Sequence, residues 1–131
     1  MLRVLLVTHG GLGAALLATA AEILGPREGV EALSNGGLDR EGLVARVREQ
    51  LDTLPAGDGL LLLTDMPGGS THLAARLAVR GLPEPLAGRV RGPLAGVNLP
   101  LLLTALNRRE STPPQELLEI LMDRGRAGIT L

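Results

Sequence analysis

Four apolar residues in succession, Val4-Leu5-Leu6-Val7, lead into Thr8-His9 and then into a turn containing Gly10, Gly11 and Gly13. A strand with one wet face alternates apolar and polar positions, so this unbroken run predicts a strand covered on both faces, as in a parallel sheet. The glycines let backbone N–H groups approach a ligand closely. Leu12, Leu16, Ala20 and Ile23 follow at helical spacing, so the turn opens a helix whose N-terminus suits an anion. His9 therefore stands at the carboxyl end of a buried strand, facing a helix start. An imidazole placed there is suited to taking or handing over a phosphoryl group, and equally to capping the turn as a structural histidine.

The same logic recurs at Leu60-Leu61-Leu62-Leu63, which runs into Thr64-Asp65-Met66-Pro67-Gly68-Gly69-Ser70-Thr71 and then a helix carrying Leu73, Ala74 and Leu77. Between the two units the first helix stops at Gly25-Pro26, and a short strand spans Val30 to Leu33. Ser34-Asn35-Gly36-Gly37 is a loop, and Asp39 caps a helix whose buried stripe is Leu43, Val47 and Leu51. Gly81 to Pro93 reads as loop with a short extended piece, and Leu94 to Val97 as another buried strand. Asn98-Leu99-Pro100 leads into a helix from Leu101 to Asn107. Thr112-Pro113-Pro114-Gln115 forms a capping box opening a helix through Leu117, Leu118, Leu121 and Met122 to Gly125. Ala127 to Leu131 reads as a final edge strand.

Strands alternating with helices predict a single α/β domain over residues 1–131, a doubly wound, mostly parallel sheet with helices on both faces. In the flavodoxin-like order the first and third strands are neighbours, and their carboxyl-end loops bracket the crevice where ligands bind. This topology brings Asp65 to His9. A carboxylate there accepts the Nδ1–H and leaves Nε2 as the free nucleophile. Gly10, Gly11, Gly68 and Gly69, with the Ser70 and Thr71 hydroxyls, are then the groups that hold phosphoryl oxygens. The alternative for Asp65 is a helix cap or turn residue.

Composition removes other chemistries. The chain has no Phe, Tyr, Trp or Cys, so stacking on bases, thiolate catalysis and disulfides are excluded. All 13 basic residues are arginine, which excludes Schiff-base and P-loop lysines. They are scattered and the net charge is −1, which argues against nucleic acid as a partner. With no apolar run long enough to span a membrane and no signal pattern at Met1-Leu2-Arg3, a cytoplasmic protein is expected. Gly11-x-Gly13 lacks the third glycine of a dinucleotide loop, and Gly68-Gly69-Ser70-Thr71-His72 lacks the last glycine of a nucleophile elbow. His9, His72 and Asp65 show no metal-ligand spacing, so no metal or cofactor is expected, and His72 belongs on the first turn of a helix, exposed or half-buried.

Three stretches, Val4-Leu5-Leu6-Val7-Thr8-His9-Gly10, Leu63-Thr64-Asp65-Met66-Pro67-Gly68-Gly69-Ser70 and Ala95-Gly96-Val97-Asn98-Leu99-Pro100-Leu101-Leu102, resemble in order the signature stretches of the mannose-family enzyme IIA domain of the bacterial phosphoenolpyruvate:sugar phosphotransferase system. The likeness runs on to the closing Arg124-Gly125-Arg126-Ala127-Gly128-Ile129. It implies that His9 accepts phosphate at Nε2 from the histidine-containing phosphocarrier protein and passes it to a IIB partner, that Asp65 orients His9, and that Ser70 lies close to the phosphohistidine. It also implies a homodimer exchanging its C-terminal strand, with the membrane reached only through a transporter complex. Pro67 stands where the family usually has Phe, Leu or Trp, and Thr71-His72-Leu73 where Pro-x-Asn is common. The segment from Arg80 to Leu94 is a few residues longer than usual. These differences bear on partner and sugar class. The alternatives are a phosphotransfer subunit of dihydroxyacetone kinase and a regulatory binding module switched by phosphorylation.

Overall fold

A computed structural model describes all 131 residues. Four strands, β1 (Leu2–Thr8), β2 (Val30–Ser34), β3 (Gly59–Thr64) and β4 (Val90–Ala95), form one all-parallel sheet in the order β2-β1-β3-β4. The helices are α1 (Leu12–Leu24), α2 (Arg40–Asp52), α3 (Ser70–Val79), α4 (Leu99–Arg108) and α5 (Pro114–Ala127), with a single 3-10 turn at Ala87–Arg89.

Successive strand residues face opposite sides, and both sides here are covered, which is why the central runs contain no polar residue. Val4 and Leu6 of β1 join Leu61 and Leu63 of β3 in a core closed by α1, α4 and α5. Leu5 and Val7 join Leu60 and Leu62 in a second core under α2 and α3. At about 25 cal/mol per Å², burying each such side chain contributes roughly 1.5–3 kcal/mol before entropy is counted. Arg109 seals the amino-terminal end of the sheet, its guanidinium donating to the carbonyls of Leu2, Glu28 and Gly29. Burial disfavours its charged form and lowers its pKa, so these carbonyls supply what solvent does not.

Several expectations hold. The first helix is capped by Gly25, Asp39 accepts from the Gly42 amide at 2.8 Å, and Leu43, Val47 and Leu51 form the buried stripe of α2. α3 carries Leu73, Ala74 and Leu77 as read, and buries Thr71, Ala74, Ala75 and Ala78 while Leu73 is exposed. Other expectations are corrected. β4 begins at Val90 rather than Leu94 and crosses a register shift opposite Leu61 to Leu63, the irregular stretch that Gly92 and Pro93 had made resemble a loop. Thr112 does not cap α5, whose N-cap is Pro113 with no side-chain hydrogen bond. Residues 127–131 form no strand in the single chain. The last helix runs on to Ala127, the Gly128 and Ile129 amides bond back to α5 carbonyls, and Ile129 and Leu131 are exposed.

Candidate functional site

The sheet order changes direction between β1 and β3, whose following helices depart to opposite faces and leave a crevice at the strand carboxyl ends. The register places Val7 beside Thr64 and Thr8 beside Ser34. The first residues beyond three adjacent strands, Asn35, His9 and Asp65, therefore stand side by side.

His9 and Asp65 meet as the topology predicted. Asp65 Oδ2 accepts from the His9 amide at 2.9 Å and lies 2.8 Å from His9 Nδ1. Its other oxygen, Oδ1, accepts from the Thr71 hydroxyl at 2.7 Å. Burial alone would raise the Asp65 pKa, but the hydrogen bonds from the His9 amide, the Thr71 hydroxyl and the His9 ring together hold it below the ordinary carboxylate range. Asp65 is therefore not the cap of α3, whose N-cap is Gly69 with no side-chain bond. A carboxylate only 8 % exposed faces an imidazole 41 % exposed, so one side of the pair is fixed and the other is open. With Nδ1–H directed at Asp65, the lone pair sits on Nε2.

Gly69 closes in on that nitrogen. Its φ is +89°, and a Cβ there would lie 3.2 Å from His9 Cε1 and 3.3 Å from Nε2, so only glycine seats the loop against the ring. The amides of Gly11, Gly68 and Gly69 have no acceptor within the protein, and the last two lead into α3. They are donors without a partner in the protein.

Two expected anion-holding groups are otherwise engaged. The Thr71 hydroxyl is completely buried and donates to Asp65, so it supports the carboxylate instead of contacting a ligand. The Gly10 amide donates to Asn35 Oδ1 at 3.1 Å. Asn35 and Thr8 are the site residues that sequence reasoning missed. Thr8 Oγ1 accepts from the Gly13 amide at 2.8 Å and clamps the first turn. The sequence signal for Asn35 was its place immediately after β2, readable only once β2 is known to lie beside β1.

His72 is half-buried, the third residue of α3, with Nδ1 2.8 Å from Thr64 Oγ1. Burial, and then the charge of Arg76, hold its pKa below the usual imidazole range, leaving it neutral at pH 7. No group of three or more His, Cys, Asp or Glu side chains is placed to hold a metal ion. No helix is long and apolar enough to cross a membrane.

Fold and site together define an open parallel α/β protein that presents a carboxylate-bound histidine at its switch point, beside free amides at a helix start. A family model described as "PTS system fructose IIA component" matches residues 3–122, and the chain belongs to this mannose-type enzyme IIA family. Its members are phosphotransfer components of the sugar phosphotransferase system. The "PTS system mannose-specific EIIAB component" of Escherichia coli strain K12 is 31% identical over 131 residues, covering 98% of this chain, which spans 38% of that relative's length. Among solved structures, the phosphotransferase system component EIIA from Streptococcus agalactiae superposes with a TM-score of 0.87 at 20% identity, covering 100% of this chain and 97% of that one. The mannose/sorbose specific IIA subunit from Enterococcus faecalis gives a TM-score of 0.77 at 21% identity, covering 99% and 93%. At these identities the structures show the shared fold.

Proposed function

We propose that His9 is the phosphoryl acceptor of this IIA component and forms a phosphohistidine at Nε2. The observation that carries the reading is the 2.8 Å approach of Asp65 Oδ2 to His9 Nδ1 on an imidazole whose other edge is open and bordered by Gly69. The donor is a histidine-containing phosphocarrier protein and the acceptor a IIB protein or domain, in a cytoplasmic relay that reaches the membrane only through a transporter.

In the first step the Nε2 lone pair attacks phosphorus, the donor's P–N bond breaks, and its electron pair returns to the donor imidazole. No proton is abstracted, because the His9 proton already resides on Nδ1. The ring gains positive charge as the new P–N bond forms, and the Asp65 carboxylate offsets it. The free amides of Gly11, Gly68 and Gly69, with the Ser70 hydroxyl, serve the phosphoryl oxygens. Transfer to the IIB partner is the reverse, with the His9–P bond breaking.

We infer a homodimer as the working unit. β4 has one neighbour in the sheet and leaves its outer edge unpaired, and the apolar residues Ile129 and Leu131 after α5 are exposed.

Labelled phosphoenolpyruvate with enzyme I and the phosphocarrier protein tests the acceptor. Wild type and His72→Ala are expected to take up acid-labile, base-stable label and His9→Ala none. Label on His9→Ala at the wild-type level would overturn the reading.

A further inference from the structure

We propose that Asn35 is a positioning residue for phosphoryl transfer, acting through Ser70. This rests on His9 as the acceptor. Asn35 reaches both glycine loops from the end of β2. Its Oδ1 accepts from the Gly10 amide at 3.1 Å, and its Nδ2 lies 3.5 Å from Ser70 Oγ. Its own amide donates to the Thr8 carbonyl at 3.1 Å, which holds the residue at the end of β2.

The orientation of the carboxamide follows from chemistry. A backbone N–H can only donate, so the oxygen must face Gly10 and the NH2 must face Ser70. A hydroxyl has one proton to give. When Ser70 Oγ accepts from Asn35 Nδ2, its own O–H is free to donate elsewhere, and on the reading of His9 as acceptor the phosphoryl group is the acceptor it serves. Asn35 thus aims the serine proton at the site of the phosphoryl oxygens, and its carbonyl end keeps the first loop at a set distance from the second. The 3.5 Å separation is long for the resting protein, and such contacts tighten when the reacting group arrives.

Substitution separates this role from loop scaffolding. Asn35→Asp keeps the acceptor for Gly10 but turns the Ser70-facing group into an anion, which captures the serine proton and repels the incoming phosphoryl group. A scaffolding role would leave this variant near wild type. On the proposal Asn35→Ala slows phosphoryl uptake by His9 roughly fivefold to thirtyfold, the loss of one hydrogen bond in the transition state, and Asn35→Asp is slower still. The deficit of Asn35→Asp relative to wild type holds across neutral pH and shrinks only as pH falls toward about 4, where an ordinary aspartate takes a proton. In a Ser70→Ala background Asn35→Ala changes the rate less than about twofold, because the partner it acts through is gone.

The experiment is rapid-quench phosphorylation by labelled phosphocarrier protein on wild type, the two Asn35 variants, Ser70→Ala and the double variant, with thermal melting of each to certify folding. Asn35→Asp as fast as wild type overturns the proposal, and so does an undiminished Asn35→Ala effect in the Ser70→Ala background. His9→Ala in the same assay separates the two readings. Label on it would remove the acceptor assignment itself, whereas no label on it together with a wild-type rate for Asn35→Asp removes only the role of Asn35.

Discussion

At the scale of single residues the site is a chain of donors that converge on one carboxylate. Asp65 is held by the His9 amide, the His9 ring and the Thr71 hydroxyl, so its charge is stabilised before any ligand arrives. Asp65→Asn keeps the shape but can present an N–H toward Nδ1 in place of an acceptor, which favours the wrong tautomer. Phosphoryl uptake is expected to fall on the order of tenfold or more in that variant, as for orienting groups elsewhere, and quench-flow measurement checks it. The same carboxylate links stability to acid. Its folded pKa lies below the unfolded value of about 3.9, so its contribution is complete above that value and is lost as pH falls through the folded pKa. The difference in melting temperature between wild type and Asp65→Asn should therefore be largest near neutral pH and shrink below about pH 4. The two histidines divide plainly by surroundings: His9 is open and paired with a carboxylate, whereas His72 is half-buried against Thr64. Position in the sequence already separated them, since His9 ends a strand and His72 falls inside a helix.

At the scale of elements, unbroken apolar strands and glycine turns were the readable part. β1, β3, the Gly25 stop and the Asp39 cap follow from local chemistry alone. The fourth strand did not, because its irregularity answers to a neighbour. Gly92 has φ +96°, and a Cβ there would fall 2.5 Å from the Leu62 carbonyl oxygen, so glycine is required by β3 and not by any pattern within Val90–Ala95. Gly92→Ala combines a positive-φ penalty with that clash and should destabilise the protein by about 2–3 kcal/mol, measured by urea unfolding. Local motif reading also failed at α5 for lack of tertiary information. Thr112 matches a capping box, yet the helix starts at Pro114, where its face, Leu117 and Leu121, meets α4 and the sheet. Asn98 shows the same dependence, since its Oδ1 caps α4 through the Leu101 amide while its Nδ2 reaches the Gly125 carbonyl of α5.

At the scale of the whole molecule, the proposed homodimer rests on the open outer edge of β4 and the exposed apolar tail. If the tail pairs with the sheet of a second copy, a chain ending at Arg126 should lose the dimer, and size-exclusion chromatography with light scattering on both lengths decides it. An unchanged, well-folded dimer from the shorter chain would dismiss the exchange. The amino-acid sequence by itself determined that this protein has a two-faced parallel sheet, because unbroken Val and Leu runs are stable only when both faces are covered. It also determined that a histidine ends the first strand and an aspartate the third, and that no aromatic, thiol or lysine chemistry is open to the chain. Only the tertiary structure decided that Asp65 holds His9 through both its ring and its amide, that Thr71 serves the carboxylate, and that Asn35 spans the two loops. Those contacts join residues 25 to 56 positions apart, or depend on how a helix turns its side chains. Strand order and register, which decide such neighbours, are properties of packing between elements that no local pattern carries.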